Sequence, residues 1–380
     1  MADYPICAAF VSTNSICQGE QVANIWEPIF RLGFHIDFAF DTFRWRNEAN
    51  DQAHVFVVIV GFSKQLKGKR LFHHASPDEE PIFKAPQNIN AYLKDAPDVF
   101  VWNRSKPLCD VPKIGIGSQP IDNGNYLFDE VGMQDFLVKE PGAKRFVHPW
   151  LGSQEFINGK KRYVLWLGEA TESDLDRLPL SRERINAVRE YRAQSSRAQT
   201  RKAAETPNHF GTELIASSTS VLIPKVSSER RRYIPMGFIE PDVFCSDLVF
   251  LIPNATLYQY GVLQSQFHNA WMRTVAGRLK SDYRYSGGVV YNNFVWPEPA
   301  AEQRQAIEEA AQMILDVREA HQGKTLAELY DPDKMPSDLR AAHQNLDRAV
   351  EEAYGVDFNG DEEKIVAHLF KLYAESTEDA

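Results

Sequence analysis

The stretch 226–233 carries charged and aromatic side chains of the kinds that read and grip DNA. If it is extended, its side chains alternate between two faces. Glu229, Arg231 and Tyr233 then share one face, and Arg230 and Arg232 share the other. Glutamate can accept a hydrogen bond from the cytosine amino group, and arginine can donate two to guanine. One face would read bases while the other contacts phosphates, but an edge strand with blocking charges explains the same pattern equally well.

Two further segments concentrate basic residues. Residues 181–202 hold seven basic and two acidic residues, and a helix there could lay guanidinium groups along a phosphate backbone. Residues 278–286 interleave basic residues, aromatic rings and a hydroxyl. The phosphate contacts predicted in these segments are Arg189, Arg192, Arg197, Arg201, Lys202, Arg278, Lys280, Arg284 and Tyr285. The alternatives are a solvated helix face and an ordinary polar loop, and seven cations do not fit on one face of a helix.

No motif predicts a catalytic, cofactor-binding or metal-binding residue. His73-His74 with the acidic residues 78–80 fits no recognised ligand spacing, which favours an exposed loop. Asp361–Lys364 superficially resembles part of a nuclease carboxylate–lysine cluster, but it lies in an acidic helical segment and is expected to begin a helix. The single G-x-G, Gly115–Gly117, is followed by Pro120 and not by a helix, so a loop is expected there.

The overall charge of −10 argues at first against a nucleic-acid partner, but its distribution does not. Residues 301–380 hold eight Lys and Arg against nineteen Asp and Glu, a net charge of −11, so the first 300 residues sum to +1. A basic segment on a near-neutral body is compatible with DNA binding. The four cysteines form no C-x-x-C pair, and neither a signal peptide nor a membrane-length apolar run is found. We therefore expect free thiols, no membrane partner and a cytoplasmic protein.

Hydrophobic patterning predicts a multidomain chain of the α/β and α+β classes. The apolar run 8–13 predicts a buried strand, residues 20–32 a helix that Gly33 ends, and 35–45, 54–62 and 70–73 further strands. Between 126 and 300, helices are expected at 182–203 and 255–277 and short strands elsewhere, including 233–238. Apolar residues at three- and four-residue steps predict helices throughout 300–375. The expected domains are 1–105, 106–300 and 301–380.

Several segments resemble a known family, the MmeI-like type IIG restriction–modification enzymes. The similar segments are Phe10–Val22 and Thr42–Ala49 with its following strand, which match the region just past the catalytic loop; Gly277–Ser286 and Tyr291–Pro297, which match the end of the target recognition domain; and Leu329–Pro332, Leu346–Val350 and Ala353–Gly355, which match the C-terminal helical domain. The resemblance covers nearly the whole chain in the family's order.

The resemblance implies the C-terminal half of a DNA adenine-N6 methyltransferase. The first domain would be part of a Rossmann-like methyltransferase sheet, the second a mixed α/β target recognition domain and the third a small helical domain. It also implies double-stranded DNA as partner and selects Glu229, Arg231 and Tyr233 as base readers. The chain has no Pro-Pro pair and hence no N-P-P-Y loop, so we expect it to be inactive alone. S-adenosylmethionine is expected only for the complete enzyme, with the catalytic half before residue 1.

Two other classes of protein compete with this interpretation. The first is a non-catalytic specificity subunit that docks onto a separate catalytic chain, because half a sheet would expose apolar strand surface. The second, with less support, is a small-molecule enzyme whose site has no recognisable motif.

Overall fold

The computed structural model describes residues 6–45, 55–65 and 68–377. Arg46–Ala49 of the family-like segment and His54, the expected first residue of a strand, lie outside the described residues. Within the described ranges, no helix combines the length and the apolar character needed to cross a membrane.

The first part of the chain is a five-stranded sheet with one helix. Its elements are β1 (Cys7–Thr13), α1 (Glu20–Arg31), β2 (His35–Trp45), β3 (Val55–Ser63), β4 (Arg70–His73) and β5 (Ile82–Lys84). The strand order is β1-β3-β2-β4-β5, with β3 antiparallel to both of its neighbours and β4 parallel to β2. Helix α1 buries Val22, Ala23 and Trp26 on one face. Gly33, at φ 81°, follows the end of α1 as predicted.

Strand β1 lies at one edge of this sheet. Its apolar sequence predicts a buried strand, but Phe10 and Val11 are 53% and 57% exposed. In the described part of the chain β1 pairs only with β3, so its outer edge keeps unpaired backbone groups and its apolar side chains lack a covering layer. The prediction of burial is wrong for these residues, and the physical reason is a missing neighbour and not a polar sequence.

The middle of the chain contains three small sheets and seven α-helices. Its elements are β6 (Gly115–Ile116), β7 (Leu127–Asp129), α2 (Glu130–Lys139), β8 (Val147–Leu151), α3 (Ser153–Asn158), β9 (Arg162–Leu165), α4 (Glu172–Leu175), α5 (Pro179–Ala193), α6 (Ala198–Lys202), β10 (Ser220–Pro224), β11 (Val226–Ser227), β12 (Gly237–Ile239), β13 (Phe244–Cys245), β14 (Val249–Pro253), α7 (Leu257–Gln264), α8 (Gln266–Val275), β15 (Gly277–Leu279) and β16 (Asp282–Arg284). The sheet orders are β12-β10-β14-β6, β11-β16-β15 and β13-β8-β9-β7.

Two predicted helices are each divided in the structure. The basic helix expected at 182–203 is α5 and α6 with a break at 194–197, and the helix expected at 255–277 is α7 and α8, which meet at Ser265. Ser265 has extended backbone dihedrals, φ −70° and ψ 161°, which end the first helix and begin the second. The strand expected at 233–238 is reduced to β12.

The C-terminal part is helical, as predicted. Its elements are α9 (Ala301–Ala320), α10 (Leu326–Leu329), α11 (Ser337–Ala353) and α12 (Glu362–Thr377). These helices bury residues such as Ile307, Leu346 and Phe370 in one hydrophobic core that also contains Trp271 of α8 and Val60 of β3. The C-terminal helices therefore pack against both preceding parts of the chain. The molecule as a whole is a mixed α/β, multidomain structure.

Candidate nucleic-acid interface

A cleft of about 460 Å³ separates the first sheet from the middle part of the chain. We call its two sides the sheet wall and the recognition wall. The sheet wall is formed by the segment after β1, by β2 and β3, and by residues 73–77. The recognition wall is formed by residues 229–230, the end of α8 and the β15–β16 hairpin. Lys94 and Glu362 also line the cleft.

The β15–β16 hairpin presents two of the predicted cations to the cleft. Lys280 is exposed and sits at φ 59° in the connecting turn. The guanidinium of Arg278 lies 3.6 Å from the ring centre of Tyr283, which fixes its direction along the hairpin. No side-chain partner of Lys280 occurs within the described residues, so its ammonium group is available to a ligand.

Residues Ser228–Tyr233, which we call the recognition turn, do not form the predicted strand. Strand β11 ends at Ser227, and the amide of Arg231 then donates to the carbonyl of Ser228 at 3.1 Å, closing a turn. A turn does not place alternate side chains on one face, so the predicted grouping of Glu229, Arg231 and Tyr233 is wrong. Glu229 and Arg230 instead stand together at the cleft.

The three predicted base readers have different surroundings. Glu229 is exposed, and Arg231 is half-buried; burial lowers the pKa of Arg231, while Asp282 and Asp331 oppose that shift. Among the described residues, the side chains of Glu229 and Arg231 have no hydrogen-bond partner. Tyr233 is only 3% exposed, and its hydroxyl donates to Asp347 Oδ2 at 2.6 Å. Tyr233 is therefore a core residue in this conformation and presents no group to DNA.

Arg192 was also placed at the surface by the sequence pattern and is instead completely buried. Its five N–H groups donate to the carbonyl oxygens of Pro120, Ile121, Ala203, Thr206 and His209, at 2.7–3.2 Å. Every donor of the guanidinium is satisfied inside the protein, so none remains for a phosphate. Arg192 ties α5 to the segments on either side of it.

Tyr285 is the third predicted contact residue that the structure buries. It is 2% exposed, and its hydroxyl forms a 2.9 Å hydrogen bond with His268 Nε2. Burial raises the pKa of Tyr285 well above its ordinary value and lowers that of His268 to about 3. The pair is thus a neutral hydrogen-bonded contact in the core, without a free group for DNA.

The remaining predicted cations are at the surface. Arg189 on α5, Arg197 in the break before α6, and Arg201 and Lys202 on α6 are exposed, but none of them lines the cleft. Arg232 donates to Gln266 Oε1 at 2.9 Å, and Arg230 pairs with Asp333. Arg284 is exposed on β16. The structure therefore brings Glu229, Arg230, Arg278 and Lys280 to one cleft and leaves the basic helices elsewhere.

The sheet wall contains a compact cluster of Asp41, His73 and His74, although an exposed loop was predicted at His73-His74. Asp41 accepts from His73 Nδ1 at 2.5 Å, from His74 Nδ1 at 2.9 Å and from the backbone amide of His74 at 2.8 Å. Burial alone would raise the pKa of Asp41, but these hydrogen bonds outweigh it and hold the pKa below its ordinary value. Residues 6–45, 55–65 and 68–377 contain no group of three or more His, Cys, Asp or Glu side chains arranged to bind a metal ion.

Arg273 is the most prominent cleft residue that sequence reasoning missed. It donates to both carboxylate oxygens of Glu362, at 2.9 and 2.7 Å, and to the backbone carbonyl of Arg232 at 2.6 Å. Glu363, the residue after Glu362, pairs with Lys84 of β5 at 2.5 Å. Arg273 is the single Lys, Arg, Asp or Glu of α8, and only its helical spacing to Gln266 indicated that the two residues face the same side.

The G-x-G at 115–117 does not fit a methyl-donor loop. A donor-binding glycine loop must leave room for the ligand to approach the backbone. Gly117 is instead packed so closely that a Cβ there would lie 2.1 Å from the carbonyl oxygen of Ser246. Gly115 and Ile116 form β6, paired with β14, so this G-x-G is a packing feature of a small sheet.

Comparisons with known proteins match the three parts of the chain in order. Residues 1–73 match the family model described as MmeI, DNA-methyltransferase domain; residues 95–298 match MmeI, target recognition domain; and residues 299–380 match MmeI, C-terminal domain.

Two relatives illustrate the match. DNA methyltransferase A of Bacillus subtilis (strain 168) is 44% identical over 373 residues, which are 97% of this chain and 42% of that protein. The solved structure of the type IIL restriction–modification enzyme MmeI in complex with DNA superposes with a TM-score of 0.92 at 42% identity, covering 98% of this chain and 50% of that one. The chain thus spans half or less of the length of these relatives.

Proposed function

Because this chain belongs to the MmeI family of restriction–modification DNA methyltransferases, we propose that it recognises a specific sequence in double-stranded DNA. The reaction served by this recognition would be methylation of adenine at N6 in the cytoplasm. The observation that carries the proposal is the cleft, where Arg230, Arg278 and Lys280 line the same wall as Glu229. Cations grip phosphates without regard to sequence, whereas a free carboxylate distinguishes bases.

The proposed roles follow from the unpartnered side chains of the recognition turn and from the cations that line the cleft. We propose Glu229 and Arg231 as base readers, because neither side chain has a hydrogen-bond partner among the described residues. Lys280, Arg278 and Arg230 would contact phosphates. The exposed cations outside the cleft, Arg189, Arg197, Arg201, Lys202, Arg232 and Arg284, are proposed as secondary phosphate contacts.

Replacing Lys280 by alanine tests the phosphate role. Each phosphate contact releases counterions, so removing one should reduce the slope of log affinity against log salt by about 1. The loss of affinity should be equal on preferred and unrelated duplexes. Fluorescence anisotropy over a range of NaCl concentrations measures both quantities.

Lys202→Ala is the comparison, since Lys202 is an exposed lysine outside the cleft that is proposed only as a secondary contact, and its effect on the slope should be smaller. An unchanged slope in the Lys280 variant would exclude the cleft as the phosphate site. An equal change in both variants would extend the DNA-contacting surface to α6. Absence of any binding at low salt would defeat the proposed function itself.

We propose that a catalytic half completes the sheet through β1 and supplies the site for S-adenosylmethionine. The outer edge of β1 offers unpaired backbone groups, and its exposed Phe10 and Val11 offer apolar area to a covering layer. We expect this chain alone not to methylate DNA, because its G-x-G is packed against Ser246 and its sequence has no N-P-P-Y loop. Binding of S-adenosylmethionine by this chain alone would contradict the assignment.

Val11→Lys is expected to weaken assembly with a catalytic half by at least about tenfold, because it places a charge in the apolar contact. Val11 is 57% exposed here, so the fold of the chain itself should be unaffected. Assembly can be measured as methylation restored on mixing with the preceding half of the Bacillus subtilis relative. Val138→Lys, at a residue of α2 that is 80% exposed, serves as control. Full restoration by the Val11 variant would show that β1 is not the contact.

The second candidate is a specificity subunit that docks onto a separate catalytic chain. The same free edge of β1 favours it, since the edge does not distinguish a covalently joined partner from a separate one. The coding sequence upstream of Met1 separates the two cases: an N-P-P-Y motif in the same reading frame supports a single enzyme, and its absence supports a separate subunit.

A further inference from the structure

The recognition turn contains few internal hydrogen bonds that could hold its backbone in one conformation. Inside the turn only two hydrogen bonds form, from the Arg231 amide to the Ser228 carbonyl at 3.1 Å and from the Arg230 amide to Ser228 Oγ at 3.3 Å. Strand β11 ends at Ser227, and the next strand, β12, begins at Gly237. Side chains that read bases need a fixed backbone. Contacts from outside the turn must therefore fix its backbone.

We propose that the C-terminal helices fix the backbone of the recognition turn, and that Asp347 and Glu362 are positioning residues for base recognition. This inference rests on the proposed function and adds to it: the C-terminal part would belong to the reading device and not only to the scaffold. The expectation is that specificity depends on residues that never touch DNA.

The first attachment is made by α11 on Tyr233. The Tyr233 hydroxyl donates to Asp347 Oδ2 at 2.6 Å, while Asp347 Oδ1 accepts from the Gln266 amide at 2.7 Å. The ring of His343 stacks on that of Tyr233, with centres 4.1 Å apart and planes 19° from parallel. Burial raises the pKa of Asp347 to about 6, although these hydrogen bonds oppose the shift. Asp347 thus contacts both Tyr233 and the start of α8, and so defines one position of the turn.

The second attachment is made by the start of α12. Glu362 binds the guanidinium of Arg273 through both oxygens, and the same guanidinium donates to the carbonyl of Arg232 at 2.6 Å. The Arg273 side chain is only 13% exposed. Glu362 thus fixes an arginine that in turn fixes the backbone of the recognition turn. Paired, two-point contacts of this kind restrict orientation as well as distance.

Two weaker contacts converge on the same residues. Arg230 pairs with Asp333 between α10 and α11, and Gln266 links Arg232 to the carbonyl of Gly360. All four attachments therefore reach residues 230–233, directly beside Glu229. They also give a role to the family-like segment Leu346–Val350, which contains Asp347 and for which the sequence suggested no function.

The fold of the C-terminal part does not depend on these polar contacts. Its helices are joined to the rest of the chain by buried apolar residues such as Ile307, Leu339 and Phe370. Glu362→Ala and Tyr233→Phe should therefore leave a folded protein in which only the turn is loosened. Glu363→Ala is the matched control, because Glu363 adjoins Glu362 but pairs with Lys84 on the first sheet.

The experiment selects duplexes from a pool with randomised positions and then measures affinity for the preferred site, for its single-base variants and for an unrelated duplex. In Glu362→Ala and Tyr233→Phe we expect preference to fall about tenfold at the base pairs that also lose preference in Glu229→Ala. Affinity for the unrelated duplex should stay within about twofold, and Glu363→Ala should behave as the wild type.

Hydrogen exchange of the amides in 228–234 is the second readout and does not need DNA. It should accelerate in Glu362→Ala and not in Glu363→Ala. Unchanged base preference would overturn the inference even if exchange accelerates, and uniform loss at every base pair would overturn it as well. A wild-type chain that binds DNA without any base preference would instead defeat the proposed function on which the inference rests.

Discussion

Replacing Arg192 by alanine is expected to lower the free energy of unfolding by about 3–5 kcal/mol, because it removes five hydrogen bonds from one charged group, each worth about 1.5–3 kcal/mol and not additive. The substitution leaves five carbonyl oxygens without the donor they share, and an unsatisfied buried polar group costs about 1–3 kcal/mol. Lysine has three donors and no planar fork, so Arg192→Lys should recover only part of the loss. Urea denaturation measures the change.

Arg189→Ala is the control for this prediction, because Arg189 lies one turn away on the same helix and is exposed. Its substitution should change stability by no more than about 0.5 kcal/mol. Hydrogen exchange should show the loss in Arg192→Ala near residues 120–121 and 203–209, which the guanidinium joins. Equal stability of the two variants would mean that Arg192 contributes no more than a solvated helix residue.

Glu229→Ala is expected to cost about 1–3 kcal/mol of discrimination at one base pair of the recognised sequence. The physical reason is that a carboxylate accepts from a base amino group and rejects an acceptor at the same position. Affinity for unrelated duplexes should be unchanged or slightly higher, because the substitution removes a negative charge beside Arg230, Arg278 and Lys280. Selection from randomised duplexes followed by titration measures the discrimination.

Lys280→Ala provides the contrast for Glu229, since its effect should be the same on every sequence. A uniform loss in the Glu229 variant would show that this side chain stabilises the cleft or its cations and does not read a base. A shift of preference to a different base pair from that changed by Arg231→Ala would show that the two residues read separate positions.

The strands and helices with strong periodicity could be predicted from the sequence. The runs that form β1, β2 and β3, the helix α1 with Gly33 after it, and the stripes of α9, α11 and α12 all lie where patterning placed them. Each of these depends on local spacing of apolar side chains. The exposure of β1 could not be predicted from its own apolar sequence, because it depends on which strands are available as neighbours; only the expectation of an incomplete sheet pointed to it.

The candidate site was predicted only in part, for reasons that differ from residue to residue. Alternation suggested a strand at 229–233, but contacts with α8, α11 and α12, distant in sequence, hold a turn there. Arg192 could have been identified: Ile185, Val188 and Arg192 lie at helical spacing on the buried face of α5. Tyr285 could not, because its burial depends on His268, seventeen residues away in another element.

The start of α12 has a consequence for the geometry of modification. Adjacent residues there contact the two parts of the molecule that flank the cleft: Glu362 binds Arg273 of the recognition wall, and Glu363 pairs with Lys84 of β5 in the first sheet. In the proposed enzyme one wall reads the sequence and the other belongs to the half that alters a base. The number of base pairs between the bases that are read and the base that is altered is then set by the fixed distance between the two walls. Exchanging side chains on the recognition turn should change which bases are recognised, while the number of base pairs to the altered base stays constant.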